Sequence, residues 1–170
     1  NKRQDMARPM ADATLAAGAG NPWSIITCGA GSYDLASKRP SSRRLAAGDF
    51  FGMDAGCSVG GYYSDFGRAG VVGGATAQQR EAQARIHAIT MLGVEMIEPG
   101  VTTGDIARRC NAALASIDFP ITSSISGLAA RVGHGLGLAT PELPHIAEDD
   151  ETVLGLSLIH ISEPTRLLSI

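Results

Sequence analysis

The stretch that decides the fold is MDAGCSVGGYYSDFGR, residues 53–68. Two β-prone segments flank the Gly60–Gly61 pair, which is typical of a tight hairpin turn. Asp54 and Asp65 stand one on each segment, in apolar surroundings where an unpaired charge is costly. If the turn centres near residues 59 and 60, the two carboxylates lie close together on one face of the hairpin.

Two carboxylates that close cannot both stay ionised unless something neutralises them. A shared proton is one interpretation, and a divalent metal held by hard oxygen ligands is another. The third is that Asp54 and Asp65 lie in turns and face water. His134, which stands between two glycines in VGHGLGL, suits a mixed nitrogen and oxygen site, although a lone histidine is also common as a structural residue.

Helix and strand signals alternate in blocks along the chain. Caps at Thr76 and Thr102 and a stop at Pro99-Gly100 help to predict three helices, over residues 4–17, 77–97 and 104–117. Strands are predicted at 23–28, on both arms of the hairpin and around His134. Strands followed by two consecutive helices and then strands favour an α+β fold, with an antiparallel sheet flanked by helices.

The composition narrows the class of protein. The chain has 170 residues, of which 44% are apolar and 18% charged, as in one globular domain. A net charge of −3 gives no electrostatic reason to expect nucleic acid. Three cysteines without a CxxC pair favour reduced thiols and a cytoplasmic setting. No apolar run approaches the roughly 20 residues that span a bilayer, so we expect no membrane segment.

Several motifs in the same order resemble the pita-bread metallopeptidases, the family of methionine aminopeptidase, aminopeptidase P and prolidase. GDFFGMDAGCSVGGYYSDFGRAGVVG is similar to the family's two-aspartate core, GHGLGL to its histidine motif and IEPGVTTGDI to the link between its helices. The resemblance covers about residues 45–154. It implies a pita-bread fold and Xaa-Pro peptidase-like hydrolysis of a small peptide or amide by a metal-activated water, with a homodimer left open as the assembly.

The resemblance also implies a set of site residues. Asp54, Asp65 and His134 would bind two divalent ions (Mn²⁺, Co²⁺, Zn²⁺ or Fe²⁺), and Asp65 would bridge the two. Arg68 would hold the carboxylates in place without touching the metal; the alternative for Arg68 is a surface salt bridge. Two later glutamates complete the family's site, and Glu163 falls in the register where the first of them is expected.

The proton-handling histidines of the peptidases are missing, since the corresponding positions hold Ser37 and Pro141. Glu142 is a candidate substitute acid or base; the alternative is a carboxylate that serves only the loop. The missing histidines also keep open a different reaction on the same fold, such as a dimethylsulfoniopropionate lyase or a creatinase-like enzyme. A metal-free binding domain of this fold is a further alternative.

The end of the chain, GLSLIHISEPTRLLSI, resembles a translated sequencing adapter. We therefore expect residues 1–154 to be part of a pita-bread catalytic domain and residues 155–170 to be a non-native tail. Glu163 would act as a ligand only if that tail is genuine. With an incomplete ligand set, the fragment is expected to be inactive while the full-length protein is an active hydrolase.

Overall fold

The computed structural model describes residues 3–28, 44–117 and 131–156. Two positions named above, Ser37 and Glu163, lie outside this part of the chain. Three helices and six strands are described, and in chain order they are α1 Arg3–Ala16, β1 Gly20–Cys28, β2 Phe50–Val59, β3 Tyr62–Tyr63, β4 Phe66–Val71, α2 Ala77–Glu95, α3 Thr103–Ala115, β5 Arg131–Gly135 and β6 Glu142–Ala147.

Strand β2 is the centre of an antiparallel sheet. It pairs with β1 along one edge and with β3 and β4 along the other. Strands β5 and β6 form a separate antiparallel ribbon. The α+β class and the antiparallel pairing predicted from the sequence are therefore confirmed.

The hairpin between β2 and β3 turns at Gly60 and Gly61, which both have positive φ, at 60° and 89°. Two consecutive positive φ values match the mirror-image turns that suit the twist of a hairpin, and glycine adopts them without strain. The turn lies one residue further along than the centre assumed in the sequence analysis. As a result, Asp54 is the register partner of Gly67, and Asp65 lies two residues before that partner.

Both predicted helix caps are present. The Thr76 hydroxyl accepts a hydrogen bond from Gln79 N–H, and the Gln79 side-chain oxygen accepts one from Thr76 N–H, which completes a capping box. Thr102 accepts from Asp105 N–H at 3.0 Å and donates to Asp105 Oδ2 at 2.8 Å. In the usual capping box, a glutamate side chain accepts a hydrogen bond from the backbone N–H of the capping residue. The Asp105 side chain is shorter, and it accepts from the Thr102 hydroxyl instead.

The main hydrophobic cluster lies between the helices and the end of the described chain. Ile106 and Cys110 of α3 pack with Leu154, and side chains from α2 and β6, including Ile89 and Ile146, cover them. Helix α3 is thereby fixed against β6, which follows the strand that carries His134. No helix among the described residues is long and apolar enough to cross a membrane.

Candidate functional site

The two aspartates meet on one face of the central sheet, as the alternation of side chains along a strand requires. Asp54 is the fifth residue of β2, flanked by β1 and β4 through its partners Ile25 and Gly67. Asp65 lies diagonally across from it, at the entrance to β4, where a side chain still reaches its neighbour. The two carboxyl groups lie close enough for the negative charge of Asp65 to act on Asp54. The predicted proximity of the two aspartates is confirmed, although they are not direct cross-strand partners.

The close approach of these carboxyl groups changes the protonation of Asp54. Burial, then the negative charge of Asp65 and the hydrogen bond with it, raise the pKa of Asp54 to about 6. His134 and the backbone of Ala55 act in the opposite direction and do not cancel the rise. In the folded chain, Asp54 therefore loses its proton near neutral pH, where a nearby cation competes with the proton for the carboxylate.

His134 reaches the aspartates from the β5–β6 ribbon, where its register partner is His145. The glycines on either side let the ribbon close tightly around it. A Cβ added at Gly135 would lie 2.5 Å from the carbonyl oxygen of Leu143, and one added at Gly133 would lie 3.0 Å from the Ile146 side chain. Glycine at positions 133 and 135 thus permits the close backbone approach on both sides of His134.

The imidazole of His134 has its two nitrogens in different roles. Nδ1 lies 2.9 Å from its acceptor, the carbonyl oxygen of Gly135, and Nε2 lies 3.3 Å from Asp65 Oδ2. Because Nδ1 donates to the carbonyl, a neutral imidazole turns the lone pair of Nε2 towards the carboxylate. Two facing lone pairs repel each other unless a proton or a cation lies between them.

The spacing and chemistry of these donor atoms fit a divalent cation. Ligand bonds of 2.0–2.2 Å hold two neighbouring ligand atoms of a tetrahedral ion about 3.3–3.6 Å apart, and the Nε2 to Oδ2 distance is 3.3 Å. The His134 and Asp65 side chains are 24% and 19% exposed, so both are largely shielded from solvent. Mixed carboxylate and imidazole donors suit Mn²⁺, Fe²⁺, Co²⁺ and Zn²⁺.

Within residues 3–28, 44–117 and 131–156, no three His, Cys, Asp or Glu side chains form a group that could hold a metal ion as they stand. Asp54 meets Asp65, and Asp65 meets His134. The three side chains thus form a series with Asp65 in the middle. They amount to a partial donor set of two carboxylates and one imidazole.

Arg68 points away from this series. It is the register partner of Met53, next to the pair formed by Asp54 and Gly67, so it lies on the opposite face of the sheet. Its guanidinium donates to its neighbour's backbone, Gly67 O, at 2.6 Å and lies 5.4 Å from the centre of the Phe66 ring. In this geometry Arg68 contacts the Phe66 ring and the backbone of Gly67. Its role in holding the two carboxylates in place stays a prediction.

Glu142 serves the loop before β6. Its Oε2 accepts a hydrogen bond from Ala139 N–H at 3.0 Å, and its carboxylate fills the space beside Gly137 that a side chain there would need. These contacts match the loop-carboxylate alternative for Glu142. Its role as an acid or base stays a prediction.

Thr140 is a site residue that the sequence analysis missed. Its hydroxyl donates to Asp65 Oδ2 at 2.9 Å, the same oxygen that faces His134. The two residues are 75 positions apart in the chain, and a threonine before a proline carries no local signal for such a contact. Only the packing of the ribbon against the hairpin brings them together.

Comparison with known proteins points to one family. The model of metallopeptidase family M24 matches residues 2–165. The Xaa-Pro dipeptidase of Pyrococcus furiosus is 33% identical over 127 residues, which is 73% of this chain and 34% of that protein. This chain therefore spans about a third of the length of such a relative.

Solved structures of prolidases share the fold of this chain. The prolidase from Pyrococcus furiosus matches with a TM-score of 0.78 and 26% identity, over 91% of this chain and 45% of that one. A prolidase from Thermococcus sibiricus matches with a TM-score of 0.79 and 22% identity, over 91% and 41%. The predicted pita-bread fold is confirmed, with the described elements covering part of it.

Proposed function

Because this chain belongs to metallopeptidase family M24, we propose that it forms part of the catalytic domain of a metal-dependent peptidase that cleaves small Xaa-Pro peptides. The observation that carries the proposal is the meeting of Asp54, Asp65 and His134, which come from two separate sheets. Nothing in the local sequence requires two carboxylates and an imidazole to meet, and their meeting leaves a negative site that a cation would neutralise.

We propose that divalent ions bind at this site, with Asp65 as the shared ligand and with Asp54 and His134 on either side of it. Such ions polarise a peptide carbonyl and activate water for attack on it. The chain's own contribution is to orient the donors. The carbonyl of Gly135 fixes the imidazole tautomer, and burial within the sheet keeps the carboxylates from being fully hydrated.

The identity of the ions, Mn²⁺, Co²⁺, Zn²⁺ or Fe²⁺, belongs to this proposal, as do a cytoplasmic location and a homodimeric assembly. The division into a catalytic part, residues 1–154, and a tail, residues 155–170, also stays a prediction. Since the described donors number three, we expect weak metal binding and little peptide turnover by the chain as given.

A lyase or an amidinohydrolase on the same fold is the second candidate. It is favoured by Pro141, which stands where the resemblance implies a proton-handling histidine. Cleavage of an Ala-Pro dipeptide, of dimethylsulfoniopropionate and of creatine by the whole protein distinguishes the candidates. Turnover of either of the last two, with none of the dipeptide, would replace the peptidase proposal.

Metal binding by the 170-residue chain is the direct test of the site. We expect Mn²⁺ to bind in isothermal titration calorimetry and to raise the unfolding temperature, and Asp65→Ala to remove both effects. Asp149→Asn changes an exposed loop carboxylate and serves as the matched control, which should bind like the unmodified chain. If Mn²⁺ and Co²⁺ do not bind to the full-length protein, and Asp65→Ala leaves its stability unchanged, the protein is better described as a metal-free binding domain.

A further inference from the structure

The loop of residues 136–141, which joins β5 to β6, is tied to the hairpin and to its own base. Tyr63 N–H donates to Gly137 O at 2.8 Å, which attaches the loop to β3. Ala139 N–H donates to the Glu142 carboxylate at 3.0 Å, which holds the loop to the start of β6. These two contacts fix the position of the loop beside the entrance to β4, where Asp65 lies.

Thr140 uses this fixed position to reach the shared carboxylate. Its hydroxyl lies 2.9 Å from Asp65 Oδ2, and His134 Nε2 lies 3.3 Å from the same atom. A threonine hydroxyl has one proton, and here that proton is directed to the carboxylate. Hydrogen bonds to an ionised acceptor are stronger than neutral ones, so this contact selects one orientation of the Asp65 side chain.

We propose that Thr140 is a positioning residue for the metal site, which holds Asp65 in the orientation that faces both Asp54 and His134. This inference rests on the proposed function, since it gives the hydroxyl a role only through a metal-binding Asp65. The proposed action of Thr140 is through Asp65, the side chain that its hydroxyl contacts. Without this hydroxyl, Asp65 loses one of the contacts that hold this orientation, and the central member of the donor series is less well fixed.

The test compares Mn²⁺ affinity among variants of the 170-residue chain that differ at one hydroxyl. Thr140→Val keeps the side-chain shape and removes the hydrogen bond, and we expect it to weaken Mn²⁺ binding by about tenfold, the low end of the loss seen when a partner of a metal ligand is removed. Thr140→Ser keeps the hydroxyl, and its dissociation constant should stay within about threefold of the unmodified value.

A matched control exists in the same chain. Thr152 Oγ1 donates to Asp150 Oδ1 at 2.6 Å, which is the same kind of bond between residues outside the donor series. Thr152→Val should leave the Mn²⁺ affinity unchanged. The visible absorption spectrum of bound Co²⁺ supplies a second readout, because it changes when a ligand is reoriented and does not respond to a general loss of stability.

The outcomes separate this inference from the proposed function. If the unmodified chain binds Mn²⁺ and Thr140→Val binds it equally well with the same Co²⁺ spectrum, the positioning role is refuted and the metal site stands. If neither the 170-residue chain nor the full-length protein binds Mn²⁺, the metal site and the positioning role fall together. If Thr140→Val does not fold, as judged by circular dichroism, Thr140→Ala gives the same comparison with a smaller side chain.

Discussion

Replacing Asp54 by asparagine is expected to stabilise the metal-free chain at neutral pH. The pKa of Asp54 rises from 3.8 to about 6 on folding, which corresponds to about 3 kcal/mol at 1.36 kcal/mol per pH unit. Since Asp54 is only half-buried, solvent screening reduces this to about 1–1.5 kcal/mol. Asparagine carries no charge and can still donate a hydrogen bond to Asp65, so the variant avoids this cost.

The stabilisation by Asp54→Asn should depend on pH with a defined sign. Between about pH 4 and pH 6 the folded chain holds a proton on Asp54 that the unfolded chain releases, so the stability of the unmodified chain falls as the pH rises through this window. The variant lacks this titration. Its advantage should therefore be close to zero at about pH 4 and complete above about pH 6.

Urea unfolding in the presence of a chelator, at several pH values between about 4 and 7.5, measures this difference. Asp149→Asn is the control for removing a carboxylate, and it should show little advantage at any pH. A variant with the same advantage at every pH, or one less stable than the unmodified chain at pH 7.5, would refute the reasoning. Excess Mn²⁺ should reverse the order, because a ligand stabilises only the chain that binds it.

Two further predictions concern the fold that supports the site. Gly56→Ala should cost about 2–3 kcal/mol, because its Cβ would collide with the backbone carbonyl of Ser64; Gly74→Ala, with open space around it, should cost much less. Ile106→Ala should cost about 3 kcal/mol, since Ile106 is 1% exposed, whereas Ile86→Ala, at 41%, should cost under about 1 kcal/mol. Urea denaturation checks both pairs, and equal midpoints within either pair would contradict the corresponding prediction.

The helices and the hairpin could be predicted because their signals are local. A threonine cap acts on backbone groups two or three residues away, and α2 ends at Glu95, a few residues before Pro99, which cannot continue a helix. Gly60 and Gly61 mark the turn because glycine reaches positive φ without strain. Each of these effects operates within one turn of chain, so the sequence alone places them to within a few residues.

The register of the hairpin was less well determined. A shift of the assumed turn by one residue moves the partner of Asp54 by two, from Asp65 to Gly67. A shift of two residues leaves the Asp65 side chain on the same face of the sheet as Asp54. The two aspartates therefore lie close together even though the assumed register was wrong. Arg68 lies three residues beyond Asp65, an odd number. Because side chains alternate along a strand, Arg68 lies on the opposite face of the sheet.

The sequence by itself determined the α+β class, the helix ends, the hairpin and the motifs that mark Asp54, Asp65 and His134, because all of these depend on neighbouring residues or on motif order. Only the tertiary structure decided how the site is assembled. Whether the Thr140 hydroxyl meets Asp65, and whether His134 turns Nε2 towards the same oxygen, depends on how the β5–β6 ribbon packs against the central sheet. That packing is the sum of many weak contacts between distant residues, and no short segment of the chain encodes it.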